Sequence, residues 1–225
     1  MSSQALGAVV AAAIGLVASP YLARLTLSVP DGADRRWWTG RPAGAARTTL
    51  TGVAAVVLGV LGGLAAGWTA LLPAFVALAL LCAPLVLIDY EVHRLPDRLV
   101  FPAAGAAAVL GVLAAAVRSD WSALLRGLEG AAAVFAALFA LRVASPRSFG
   151  YGDVKLGAVL GGYLGWAGWV HVFYGIFGGF LLGALLAIAL LVSRRATMKT
   201  AIPFGPMLIL GPFLVLALDL VPSVN

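Results

Sequence analysis

Apolar residues run along this chain in blocks far longer than one amphipathic stripe, and polar residues collect between the blocks. The first block covers roughly 5–23, and a polar stretch follows from Arg24 to about Thr49, with Pro30-Asp31-Gly32 and Arg41-Pro42 inside it. Residues 50–88 are almost unbroken apolar sequence, about twice the roughly 20 residues that cross a bilayer as helix. Gly67-Trp68 and Pro73 mark the reversal, giving crossings near 50–68 and 70–88. A short polar loop, Asp89 to Arg98, precedes blocks near 99–117 and 123–143, which Arg118-Ser119-Asp120-Trp121 separates. The loop Ser145 to Gly152 then leads to Asp153 and a further apolar run, Val154 to Val192. That run makes about 58 Å of helix, or two crossings of a roughly 30 Å core, with the break at Gly165-Trp166-Ala167-Gly168-Trp169. A last segment spans about 205–221. The pattern predicts an all-α polytopic transmembrane bundle of about eight helices, a single integral-membrane domain over 1–225 with a short loop at 24–49.

Composition removes the other classes. The chain has 225 residues, 62% of them hydrophobic, with 15 Lys plus Arg and 9 Asp plus Glu. Soluble domains average about 45–50% apolar and about a quarter charged, and disordered chains are poorer still in apolar residues. The net charge of +6 does not form a dense run, so lipid rather than nucleic acid is the expected surroundings. Sorted over eight crossings with the N-terminus outside, every basic residue except Arg118 and Arg126 falls on inner loops or inner helix ends. The positive-inside rule therefore selects that orientation, a multi-pass protein of the cytoplasmic membrane. Trp68, Trp121, Trp166 and Trp169 then stand at the outer interface and Trp37-Trp38 at the inner one, where an apolar ring with one N–H is favoured. The first Arg, Arg24, follows the first apolar block rather than preceding it, which predicts an uncleaved first helix and not a secretory signal. Cys82 is alone in an apolar run, so it packs and forms no intrachain disulfide. Gly157, Gly161 and Gly165, like Gly175, Gly179 and Gly183, recur every four residues, as helices that approach closely in lipid require.

In a chain so poor in charge, an acid at a membrane boundary stands out. Asp31, Asp34 and Asp120 read as solvated loop residues, and Asp219 as an interfacial one. Glu129, three residues after Arg126, reads as half of a structural ion pair. His93 and His171 read as loop and interface residues. Two clusters remain. Asp89 ends a long apolar helix and opens Asp89-Tyr90-Glu91-Val92-His93-Arg94-Leu95-Pro96-Asp97, and Asp153 closes Gly150-Tyr151-Gly152-Asp153 and opens another helix. The charge-derived topology brings both to the inner face. Two facing carboxylates that share a proton can activate water and protonate a carbonyl oxygen. They can equally serve a proton or ion relay, so a small transporter using the same carboxylates is the alternative.

The motifs favour the first. Asp89 followed after five residues by Leu95-Pro96-Asp97, with Gly150-Tyr151-Gly152-Asp153-Val154-Lys155-Leu156 and the late Ile202-Pro203-Phe204-Gly205-Pro206, resembles the type IV prepilin peptidases. These are intramembrane aspartyl proteases with a Gly-x-Gly-Asp motif, and the resemblance covers roughly 50–221. Presenilin-like proteases share that motif but pair it with Tyr-Asp and Pro-Ala-Leu, which this chain lacks. The resemblance implies that Asp89 and Asp153 are catalytic and that Gly150 and Gly152 keep the loop close to Asp153. It implies that Pro96 and Asp97 shape a loop, and that Lys155 positions substrate or offsets local acidity beside anchoring at the interface. It implies no metal and no cofactor, and as partners prepilin-like precursors with a short basic leader, which an acidic mouth of Asp89, Glu91, Asp97 and Asp153 would attract. Bifunctional relatives carry a larger insert with Cys-x-x-Cys pairs between the first two helices and also N-methylate the product. Here 24–49 holds no cysteine, so the resemblance is to compact members that only cleave, and methylation is not expected. Helix polarity assigns Asp153, at a helix start, as base and Asp89, at a helix end, as acid.

Overall fold

A computed structural model describes residues 1–30, 37–39, 42–146, 149–195 and 203–218. Eight α-helices follow one another in these residues, with no strand among them: α1 Ser3–Ser28, α2 Ala45–Ala66, α3 Leu72–Val92, α4 Asp97–Arg118, α5 Trp121–Ala144, α6 Tyr151–Ala167, α7 Trp169–Val192 and α8 Gly205–Leu218. All except α6 and α8 are long and apolar enough to cross a membrane. The protein is a multi-pass helical membrane bundle. The parts of the loop readings that fall on 31–36, 40–41, 147–148, 196–202 and 219–225, including Asp31, Asp34, Arg147, Lys199 and Asp219, lie outside the described residues.

Helix ends differ from the apolar blocks. The stretch 24–49 was expected to be loop, yet α1 continues to Ser28 and α2 begins at Ala45. Polar residues there satisfy themselves within the helix: the Thr26 hydroxyl donates to the Ala23 carbonyl at 2.7 Å and the Thr49 hydroxyl to the Ala45 carbonyl at 3.0 Å. α3 likewise runs past Asp89 to Val92, ending where His93 turns left-handed at φ 53°. Leu27–Ser28 and Asp89–Glu91 show the same thing: a chain leaves the apolar block before it leaves the helix.

Glycine governs the packing. In lipid, apolar area gains little by meeting another helix, so close backbone approach has to supply the attraction. Along α1 and α2, a methyl on Gly59 would stand 2.8 Å from the Ala11 carbonyl oxygen, and one on Gly7 2.7 Å from that of Gly63. Along α5 and α6, a methyl on Gly161 would stand 2.7 Å from the Gly130 carbonyl oxygen, and one on Gly165 would run into that of Arg126. On α7, a methyl on Gly179 would stand 3.1 Å from the Met207 carbonyl oxygen of α8, so both expected glycine stripes pack helices. α6 is an inner helix, as α3 is, with Leu156, Leu160 and Leu164 completely buried, while α7 shows most of its apolar surface outward. Cys82 is buried in the core cluster.

The antiparallel order puts the ends of α1, α3, α5 and α7 on one face with the starts of α2, α4, α6 and α8. Arg24, Arg47, Arg94, Arg98, Arg142, Lys155, Arg194 and Arg195 lie towards that face, and Arg118 and Arg126 lie towards the other. Trp68, Trp121 and Trp169 are exposed at the opposite face, where the α2–α3, α4–α5 and α6–α7 turns fall. Arg126 does not pair with Glu129. It donates instead to the Ser122 hydroxyl and the Trp166 carbonyl, both at 3.5 Å, and Glu129 is exposed on α5.

Candidate active site

Asp89 lies in the last turn of α3 and is only 5% exposed. Its main-chain carbonyl accepts the His93 N–H at 2.9 Å, which closes the helix. Its side-chain Oδ2 accepts the Gly205 N–H, also at 2.9 Å, across 116 residues of sequence. Gly205 opens α8, so a buried acid is satisfied by a helix-start donor that would otherwise have no partner in that helix.

Asp153 is held by the same kind of donor closer at hand. Gly150 caps α6, and its N–H donates to Asp153 Oδ2 at 3.1 Å, the backward reach of a capping box. A methyl on Gly150 would lie 2.7 Å from that oxygen. Asp153 Oδ1 is buried and has no hydrogen-bond partner among the described residues. Gly152 meets a different neighbour: a methyl there would lie 2.7 Å from Leu95 Cβ. Leu95 is buried, and its Cδ2 stands 3.2 Å from where a methyl on Gly205 would be. This leucine wedges between the starts of α6 and α8. Leu95 belongs to the Leu95-Pro96-Asp97 motif of the sequence but carries no role there, because a leucine in an apolar chain gives no chemical signal.

Asp89, Asp153, Gly150, Gly152, Pro96 and Asp97 line one cavity of about 850 Å³ at the face that collects the basic residues, with Val29 and Pro30 from the end of α1 opposite. The charges of the two acids act on one another there. The other expected acids are engaged elsewhere. Lys155 Nζ donates to Asp97 Oδ1 and Oδ2 at 2.7 and 2.8 Å, with its ammonium 5.1 Å from the Phe101 ring centroid and 4.7 Å from that of Tyr151. Arg47 donates to both Glu91 oxygens at 2.6 and 2.9 Å and to the Thr26 hydroxyl at 2.8 Å. His93, Arg94 and Arg98 line the same cavity. The expected acidic mouth is thus not how charge is distributed: two of its four carboxylates are already neutralised by cations of the chain itself. Helix polarity does not divide the acids either, because Asp89 meets the start of α8 as well as the end of α3.

Pro96 caps α4, its carbonyl accepting the N–H groups of Leu99 and Val100 at 3.0 and 3.2 Å. No cluster of three or more His, Cys, Asp or Glu side chains able to hold a metal forms among the described residues. A second cavity, about 350 Å³ and almost wholly apolar, lies between α4, α5 and α6 with Lys155 at one end and Trp166 at the other. Its walls are mostly alanine, glycine and phenylalanine.

The sequence is similar to known proteins. The profile of the type IV leader peptidase family matches residues 74–188, a span that contains both Asp89 and Asp153. The chain is 33% identical over 129 residues to the prepilin leader peptidase/N-methyltransferase of Pseudomonas putida, covering 55% of this chain and 42% of that protein. To the protein of the same name from Aeromonas hydrophila it is 30% identical over 154 residues, covering 68% and 51%. To that of Pseudomonas aeruginosa it is 32% identical over 131 residues, covering 58% and 44%. The chain spans about half the length of the curated relatives it matches. No solved structure matches it. With the matched span taking in half the chain and both acids of the cavity, the chain belongs to the type IV leader peptidase family.

Proposed function

We propose that the chain is an intramembrane aspartyl endopeptidase that removes the leader from prepilin-like precursors at the cytoplasmic face of the inner membrane. The observation that carries this reading is the pairing of Asp89 and Asp153 from two helices in one cavity, each fixed by a single backbone N–H, in a chain of this family. One carboxylate, ionised, takes a proton from water as the oxygen attacks the scissile carbonyl carbon. The other, protonated, gives its proton to the carbonyl oxygen. The resulting diol collapses when the carbonyl re-forms, the C–N bond breaks and the amine leaves with a proton from the pair. The two titrate as one system, so base and acid are roles of the pair rather than of fixed residues.

Lys155 and Arg47 serve the site by holding Asp97 and Glu91, which tie the α3–α4 turn to α6 and to α1 and α2. The 24–49 stretch holds no cysteine and so lacks the Cys-x-x-Cys pairs of bifunctional members, and cleavage alone is therefore proposed. No feature of the cavity or of the relatives favours the transport alternative.

Co-expression with a prepilin-like precursor from the same genome tests the reading. Mature N-terminus formation is expected with the unmodified chain and is expected to vanish in Asp89→Ala and in Asp153→Ala separately, each still inserted in the membrane. Cleavage by either variant overturns the two-acid mechanism. The mass of the new N-terminus decides methylation.

A further inference from the structure

The two acids share a feature that the hydrolytic chemistry leaves unused. Each accepts its backbone N–H from a glycine, Gly150 or Gly205. Each of those glycines directly follows a phenylalanine, Phe149 or Phe204. The two segments are far apart in the chain, yet the rings meet, with centroids 5.5 Å apart and planes tilted by 56°. Phe180, in the middle of α7, completes a triangle. Its ring stacks on Phe149 at 6.3 Å and 14°, and lies 4.9 Å from Phe204 at 44°. All three separations fall within the range in which aromatic pairs attract.

The main chain holds the two outer members as well. The Phe149 N–H donates to the Ser145 carbonyl at 3.2 Å, and the Phe204 carbonyl opens α8 by accepting from Met207 and Leu208 at 3.1 and 3.0 Å. Gly183, one turn along α7 from Phe180, leaves room for the Phe204 ring, since a methyl there would lie 3.3 Å from its Cε2. The cavity lining passes through Gly150 and Asp153 but not through the three rings, which stand behind it.

We propose that Phe149, Phe180 and Phe204 form an aromatic clamp on both acids, with Phe180 the positioning residue that couples them by fixing the rings that precede their two backbone donors. The role of the acids rests on the peptidase reading; the clamp itself is a statement about their geometry. The charged and titratable groups that line the cavity with the acids are His93 and Arg94 from the α3–α4 turn, Asp97 and Arg98 from the start of α4, and Tyr151 from α6, with Lys155 engaged on Asp97 and Arg47 on Glu91. Phe180 adds no charge to that set, so removing its ring reaches the acids through position alone.

Infrared titration of the full chain in lipid nanodiscs tests this, with the carboxyl bands of the pair identified by their loss in Asp89→Asn and Asp153→Asn. In Phe180→Ala the midpoints of both bands shift by roughly one pH unit, the size expected when one hydrogen bond to a carboxylate loosens. Phe180→Tyr, which keeps the ring, leaves them in place. Phe180→Leu keeps apolar filling without the flat ring and shows a smaller shift, which preserves the test should the alanine variant not fold. Phe177→Ala is the control: Phe177 is on the same helix and stacks on Phe173 at 5.9 Å. Unmoved bands in both Phe180→Ala and Phe180→Leu, or an equal shift in Phe177→Ala, overturn the clamp. Failure of the peptidase reading is a separate result, an absence of cleavage by the unmodified chain.

Discussion

At Asp89 two helices meet on one side chain. α3 delivers the carboxylate and α8 supplies its donor, so a small change at Gly205 moves the acid without touching α3. A methyl on Gly205 would lie 2.8 Å from Asp89 Oδ2 and 3.0 Å from its Cγ, closer than atoms at those positions stand. Gly205→Ala is therefore expected to lower kcat for precursor cleavage on the order of 100-fold, the effect of a misplacement of about 1 Å at a reacting group. Gly105→Ala, with nothing within 4 Å, is expected to leave it unchanged. A kinetic comparison of the two purified variants checks this. Asp89 and Asp153 were legible in the sequence because a charge at the edge of an apolar block is costly and has few neutral explanations. Their donors were not, because a backbone N–H has no residue type. Nor were the partners of Glu91 and Asp97, since Arg47 and Lys155 lie 44 and 58 residues away and only the packed helices bring them near.

Between helices, contact is set by what is missing from the side chains. The α7–α8 seam closes where Gly211 meets the Gly179 backbone and lies so near the Gly175 carbonyl that a methyl would stand 2.7 Å from its oxygen. Gly211→Val is expected to destabilise the bundle by about 1–3 kcal/mol through overpacking. It is also expected to impair cleavage further, because α8 carries the Asp89 donor. Gly178→Ala, whose methyl would meet Gly211 Cα at an ordinary 3.7 Å, is expected to be tolerated. Thermal unfolding in detergent separates the two. The existence and order of the helices were readable from the apolar blocks, and the glycine stripes from their four-residue spacing. Helix ends were not, because hydropathy reports where lipid would be and not where hydrogen bonding stops. Thr26, Ser28 and Asp89 are polar and helical together. The Arg126–Glu129 pair failed for a related reason: spacing makes two side chains neighbours on a helix, but Ser122 and the Trp166 carbonyl offered Arg126 other acceptors.

For the whole molecule, charge and length act together. The basic residues gather at the face that bears the cavity, the exposed tryptophans at the opposite one, and the helices alternate between them. α6, which carries Asp153, runs only from Tyr151 to Ala167, 17 residues or about 25 Å, against about 36 Å for the 24-residue α7. Both of its ends are defined, by Gly150 and by Gly168 at φ 142°. It falls about 5 Å short of an average hydrocarbon core. α6 packs inside the bundle while α7 faces outward, so the lipid matches the longer helices and the start of α6 lies below the level at which they end. The short inner helix has a simple meaning for the site: Asp153 stands near the floor of a recess that opens at the basic face, and the cavity of about 850 Å³ there leaves water room to reach both acids.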